Sequence, residues 1–236
     1  MRTFYTLFVA TLSLFLTSCE NGQTQNIKTN LPANEFDLKI KELSPAMVID
    51  VRTPVEFAKG HLPNAKNFDW NGKIFDQQIA MLSKEKPVFV YCLSGARSTS
   101  AANKMRSEGF KEVYQLDGGI LKWRGANLPE ATDSATTSGL TMQQFAELLS
   151  SDKLVLVDFY ADWCEPCLLM KPYLDEIAKD MSSKVTVIRI NTDDNQSLSK
   201  ELKIDALPVL QVYKNKQLSW THLGYIEKAD VIKQLQ

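Results

Sequence analysis

The chain has 236 residues, room for two domains of ~100–150 residues each, and its 27 Lys+Arg against 28 Asp+Glu leave a net charge of -1. That balance argues against a nucleic-acid binder, which would show a basic face. Hydrophobic residues at 44% and charged residues at 23% describe a globular chain, while 4 Cys and 2 His are too few for a disulfide scaffold or a pair of zinc sites.

A single basic residue, Arg2, precedes an apolar run from Phe4 to Leu16. The run is shorter than the ~20 residues of a membrane span and suits a signal-peptide core. It ends in Leu16-Thr17-Ser18-Cys19, which resembles the lipobox of bacterial lipoproteins. That resemblance implies removal of residues 1–18 and lipidation of Cys19, giving an extracytoplasmic protein anchored to a membrane, in a periplasm or cell envelope. The alternative is an ordinary secretory signal with an incidental Cys. Residues 19–33 are nearly free of large apolar groups and read as a flexible tether. A second small, polar stretch at 131–139 reads as a linker, which divides the remainder into domains 34–130 and 140–236.

Both blocks read as α/β. In the first, residues 47–51 and 87–91 are short apolar runs suited to buried parallel strands, with helices over 75–82 and 98–107. In the second, strands are expected at 154–160, 185–190 and 209–213, and helices at 141–150, 166–179 and 228–235.

Cys92 directly follows the strand 87–91 and opens the loop Leu93-Ser94-Gly95-Ala96-Arg97 before a helix. Backbone N–H groups at such a junction, the helix dipole and the Arg97 charge would favour a nucleophilic thiolate on Cys92. A lone Cys after a buried strand is otherwise an inert core residue. Residues 49–57 (Ile-Asp-Val-Arg-Thr-Pro-Val-Glu-Phe), Gly60-His61-Leu62-Pro63-Asn64-Ala65, the Cys92 loop and 117–123 (Asp-Gly-Gly-Ile-Leu-Lys-Trp) together resemble a rhodanese domain. The resemblance implies that Cys92 takes sulfane sulfur from a donor such as thiosulfate or a persulfide, with residues 93–97 binding it. The six-residue loop has the length of sulfur-transferring members, whereas phosphatases of related shape use a longer one. His61 is read as structural, and Asp50 with Arg52 as a buried salt bridge.

Cys164-Glu165-Pro166-Cys167 follows the strand 154–160 and starts a helix, the setting of a dithiol redox pair with Cys164 attacking and Cys167 resolving. No second Cys pair or His pair completes a metal site. The block from Gly139 to Gln236 resembles thioredoxin throughout, on Val157-Asp158-Phe159-Tyr160-Ala161-Asp162-Trp163-Cys164 and Ala206-Leu207-Pro208. The resemblance implies a cis proline at Pro208, substrate binding by Trp163, Leu207 and Pro208, and a buried Asp158 that helps deprotonate Cys167. Glu165 departs from the usual Gly and disfavours the Cys164 thiolate, which suits a reductant. Arg189 replaces a Lys near Asp158, and Lys216 stands at a hairpin position where Gly is common, so that turn is expected to differ.

These features lead to an extracytoplasmic sulfur-transfer and thiol-disulfide oxidoreductase without a cofactor, in which sulfane sulfur is held as a persulfide on Cys92 and reduced by the Cys164–Cys167 dithiol, acting on sulfur donors and protein disulfides. A membrane thiol-transferring protein would supply its electrons. The alternative is a general protein-disulfide reductase whose first domain only binds sulfur or docks a partner.

Overall fold

The computed structural model describes residues 29–132 and 139–236. The leader and Cys19 lie outside them. The first unit is a five-stranded sheet of order β1-β5-β4-β2-β3 with every pairing parallel. Its strands are β1 (Asn30–Leu31), β2 (Met47–Asp50), β3 (Lys66–Asn67), β4 (Val88–Tyr91) and β5 (Val113–Leu116). The alternation of side chains along the strands explains the layers. Ile49, Val51, Val88 and Val90 face α3 (Phe75–Ala80) and α4 (Ala96–Ser107), where Ile79, Ala101 and Met105 bury themselves against them. Val48, Phe89 and Tyr91 face the other way, onto Phe36 of α1 (Ala33–Glu42) and Ile120 and Trp123 of α5 (Gly119–Gly125). A sheet covered on both faces needs apolar residues at every position of its central strands, which is what β4 supplies. The short α2 (Pro54–Phe57) starts with a capping box between Thr53 and Glu56.

The second unit is a four-stranded sheet of order β7-β6-β8-β9, parallel between β6 and β7 and antiparallel elsewhere. The strands are β6 (Leu154–Tyr160), β7 (Val185–Asn191), β8 (Val209–Lys214) and β9 (Gln217–Leu223); the helices are α6 (Met142–Leu148), α7 (Glu165–Asp180), α8 (Gln196–Glu201) and α9 (Lys228–Lys233). Val155, Val157 and Phe159 pack with Phe145, Leu149 and Leu198 on one face. Leu156 packs with Met170, Leu174 and Ile177 of α7 and with Val231 on the other. The β8–β9 hairpin turns through Asn215 and Lys216, both at positive φ (51° and 66°). That is the primed turn whose twist matches the strands, so Lys216 adopts the left-handed conformation that a Gly would supply without strain.

Three expectations need correction. The stretch read as tether ends in β1, which pairs with β5, so the sheet begins at Asn30. Ala131, read as linker, bridges to His61 through two backbone hydrogen bonds of 2.9 and 2.8 Å. At the other end of the linker, Gly139 lies against Asp194 and Asn195 of the second unit. Among the described residues no helix is long and apolar enough to cross a membrane.

Candidate functional site

Among the described residues the cysteines form two sites. At the first, β4 ends at Tyr91 and Cys92 is buried at the head of the loop. Gly95, at φ 109°, turns the chain into α4 and donates its N–H to Cys92 Sγ at 3.1 Å. The Ser98 hydroxyl lies 3.5 Å from the same sulfur. Burial pushes the Cys92 thiol up, and the bonds from Ser98 and from the Gly95 and Ser94 N–H groups outweigh it, leaving the thiol below its usual range. The loop is held from behind: Ile120 and Leu121 donate their N–H groups to the carbonyls of Cys92 and Leu93 at 2.9 and 3.2 Å. Leu93, Ser94 and Ala96 are exposed around the mouth.

Arg97 has a second partner. Its guanidinium is clamped by Glu56 with two bonds of 2.8 and 2.7 Å, and that pairing holds the Glu56 carboxyl down at about 2. The charge is therefore partly neutralised, although it still interacts with the Cys92 sulfur, and the donors that lower the thiol are the Ser98 hydroxyl and the backbone N–H groups of the loop. Glu56 escaped the sequence reading. Its place in Thr53-Pro54-Val55-Glu56 signals a helix start, but nothing there announces Arg97, 41 positions away. Asp50 and Arg52 form the expected buried pair at 2.6 Å, and Arg52 also donates to Gly60 O at 2.7 Å. His61 is buried, stacked on Phe57 at 3.9 Å, with Nδ1 2.9 Å from Leu62 O.

At the second site, Cys164 and Cys167 are joined as a disulfide at the start of α7, and the Cys167 N–H points at Cys164 Sγ at 3.3 Å. The helix follows from Cys164 as N-cap and Pro166 in the first turn, where its missing N–H costs nothing. Leu207-Pro208 is a cis peptide, and both residues are buried. Asp158 is buried on the same face of β6 as Leu156. Desolvation raises its carboxyl above the usual range, against the opposing Arg189, whose Nε donates to Oδ2 at 2.7 Å. Its Oδ1 has no hydrogen-bond partner. Trp163 donates Nε1 to Asp193 at 2.9 Å and packs on Phe68 of the first unit, with ring centroids 6.0 Å apart. Cys164 itself is fully buried, and Met81, at the end of α3, joins it in one cluster with Phe145, Ala206 and Leu207. Nothing in the sequence marked Met81, which reads as one more core residue.

The structure brings Cys164, Cys167, Trp163, Leu207 and Pro208 together in one place and the Cys92 loop in another. The hydrogen bonds and ion pair that cross between the units, among the described residues, come from Lys66, Gln78 and Met81. Trp163 lines a cavity of about 310 Å³ with Met47 and Val88, the first residues of β2 and β4. Cys92 follows the other end of β4, a strand length of ~13 Å away.

Comparison with known proteins agrees with this division. The family model for rhodanese-like domains matches residues 32–126, and that for thioredoxin matches residues 136–236. A thioredoxin of Rickettsia bellii is 38% identical over 97 residues, covering 41% of this chain and 92% of that protein. Thioredoxin 1 of Synechococcus elongatus is 37% identical over 102 residues, covering 43% of this chain and 94% of that protein. A solved rhodanese-related protein from Thermoplasma volcanium aligns at 25% identity and a TM-score of 0.40, covering 44% of this chain and 98% of that one.

Proposed function

Because the chain belongs to the thioredoxin family and carries a rhodanese-like domain ahead of its thioredoxin domain, we propose that it handles sulfane sulfur at Cys92 and protein disulfides at Cys164–Cys167, on the outer side of a membrane. Thiol-disulfide exchange is the chemistry of the second domain. The reduced Cys164 thiolate attacks a substrate disulfide, one substrate thiolate leaves, and Cys167 then displaces the other by closing the bond to Cys164. Asp158, raised by burial, is suited to take the Cys167 proton. At Cys92 the thiolate attacks the outer sulfur of thiosulfate; the S–S bond breaks, sulfite leaves with the electron pair, and Cys92 carries a persulfide. Electrons for the dithiol come from a membrane thiol-transferring partner, and lipidation of Cys19 holds the protein beside it.

The observation that carries this reading is the Cys92 cradle, with a backbone N–H 3.1 Å from a buried sulfur whose thiol lies below its usual range. Incubating the reduced protein with thiosulfate should add the mass of one sulfur atom to the peptide holding Cys92, and Cys92→Ser should abolish it. Cys164→Ser should abolish reduction of a model disulfide while leaving the sulfur on Cys92. A Cys92 that gains no mass from thiosulfate or from a low-molecular-weight persulfide would falsify the sulfur-carrier half. The contacts from Lys66, Gln78 and Met81 favour, for that case, a first domain that serves as a docking module. For the anchor, Cys19→Ser should move the protein from the membrane to the soluble fraction.

A further inference from the structure

Met81 ends α3, yet its side chain enters the core of the other unit. Its carbonyl accepts the N–H of Glu165 at 2.8 Å, and its Sδ accepts the N–H of Leu207. Those two donors flank the disulfide: Glu165 follows Cys164 in the chain, and Leu207 precedes the buried Pro208. Around Met81, Lys66 pairs with Asp193 at 2.7 Å, and Gln78 reaches Asp205 O at 3.4 Å. Cys164 is left with no exposed surface.

The geometry points to residues 78–82 as a tethered occupant of the thioredoxin domain's substrate groove, so that the rhodanese-like domain must leave before a protein disulfide reaches Cys164. The contacts suit an occupant that gives way. A thioether is a weak acceptor for the Leu207 N–H, and a substrate segment that brings a carbonyl oxygen there replaces it with a stronger bond. Gln78 Oε1 is buried in the seam without a partner and regains one in water when the seam opens. Lys66 and Asp193 are both partly exposed, and such a pair holds little. The groove therefore fits a segment with a sulfur side chain where Met81 now sits and a backbone carbonyl beside it, which describes half of a cystine. The inference rests on Cys164 being a reactive thiol but not on the sulfur-carrier reading, and its test reads accessibility rather than turnover.

The purified full chain is reduced, the reductant removed, and iodoacetamide added for increasing times, with each Cys assigned by peptide mass. In Met81→Glu the charge cannot remain in the apolar seat, and the rate at Cys164 follows the open fraction. That rate should rise about tenfold or more, with little change at Cys92. Hydrogen exchange at the Glu165 and Leu207 amides should accelerate alongside. Lys66→Asp, which turns the rim pair into two facing carboxylates, should move both readouts the same way by a smaller factor, and serves if Met81→Glu does not fold. Equal Cys164 rates and equal amide exchange in native and variant chains would overturn the proposal. Protection of Cys164 that disappears on dilution would also overturn it, because the occupant would then be a second copy of the chain rather than a tethered one.

Discussion

Cys92 and Cys164 hold comparable places, each after a buried strand and at the threshold of a helix, but different parts of the chain complete their surroundings. The Cys92 cradle is closed entirely by its own unit: Gly95 and Ser98 from the loop and α4, Ile120 and Leu121 from α5, Glu56 from α2 through Arg97. The Cys164 site is half finished by its own unit and half by Met81 of the other. Under the proposed function, the Cys92 thiolate would take up a single sulfur atom, and a small, preformed set of donors suits that task. A thiolate that must accept the segment of another protein needs an open groove, and here that groove has a resident. The same strand-loop-helix junction thus presents two different sulfur environments according to what stands in front of it.

Three substitutions test how separate the two sites are. The largest effect is expected from Arg52→Ala, which strands the Asp50 carboxylate in the core of the first unit. Removing one partner of a buried pair costs about 3–5 kcal/mol, so scanning calorimetry should show the first unit melting early while the second keeps its transition. Loss of both units in one step would mean that the seam at Met81 makes them one cooperative body. Next is Glu56→Gln, which frees Arg97. The pair is bidentate and only partly exposed, so about 1–2 kcal/mol should be lost at pH 7. Since Glu56 is held at about 2 in the fold, its contribution is whole above about pH 5 and fades as the pH falls toward 2. Urea midpoints of variant and native chain should therefore converge in acid, and a gap that persists at pH 2 would assign the loss to something other than charge. The smallest effect is expected from Asp158→Asn. Burial raises this carboxyl, so its ionised form opposes folding once the pH rises through the raised value, and no penalty is present below the ordinary carboxylate range. The variant should be slightly more stable than the native chain at pH 7 and equal to it near pH 3, with slower closure of the Cys164–Cys167 bond. A variant destabilised at pH 7 would show that the Arg189 pair outweighs desolvation.

Much of this was legible in the sequence because β2, β4, β6 and β8 are apolar runs flanked by polar turns, and each reactive Cys sits at the end of such a run. The elements that escaped share a weaker pattern. In β5 a buried Gln115 interrupts Val113-Tyr114-Gln115-Leu116, and it is satisfied by its side-chain bond to Thr99 at 2.6 Å. In α1 the sequence is mostly polar, and only Ala33 and Phe36 are buried. β9 lies at the sheet edge with most of its side chains exposed. At the sites, residue types and short spacings marked Cys92, Cys164 and Cys167, and the resemblance marked Asp158, because those signals are local. Glu56 on Arg97 and Met81 on Leu207 are pairings across 41 and 126 positions, and no periodicity or motif carries information over such distances. Arg97 shows the limit of local reading: its charge does interact with the neighbouring thiol, but a carboxylate from another helix shares it.

Gly119 has a consequence for what mutation can reach. A Cβ at this position, where φ is +62°, would stand 2.5 Å from the carbonyl oxygens of both Cys92 and Leu93, closer than packed atoms tolerate. The two backbone segments are pressed together there, and the bonds from Ile120 and Leu121 fasten them. The width of the cradle is thus set by main chain against main chain, not by side chains that could be trimmed. Point substitution can retune the charge and polarity at its mouth through Leu93, Ser94 or Arg97, but it offers no path to a wider anion. Only inserted residues between Cys92 and α4 would make that room, and they would first have to unfasten the α5 amides.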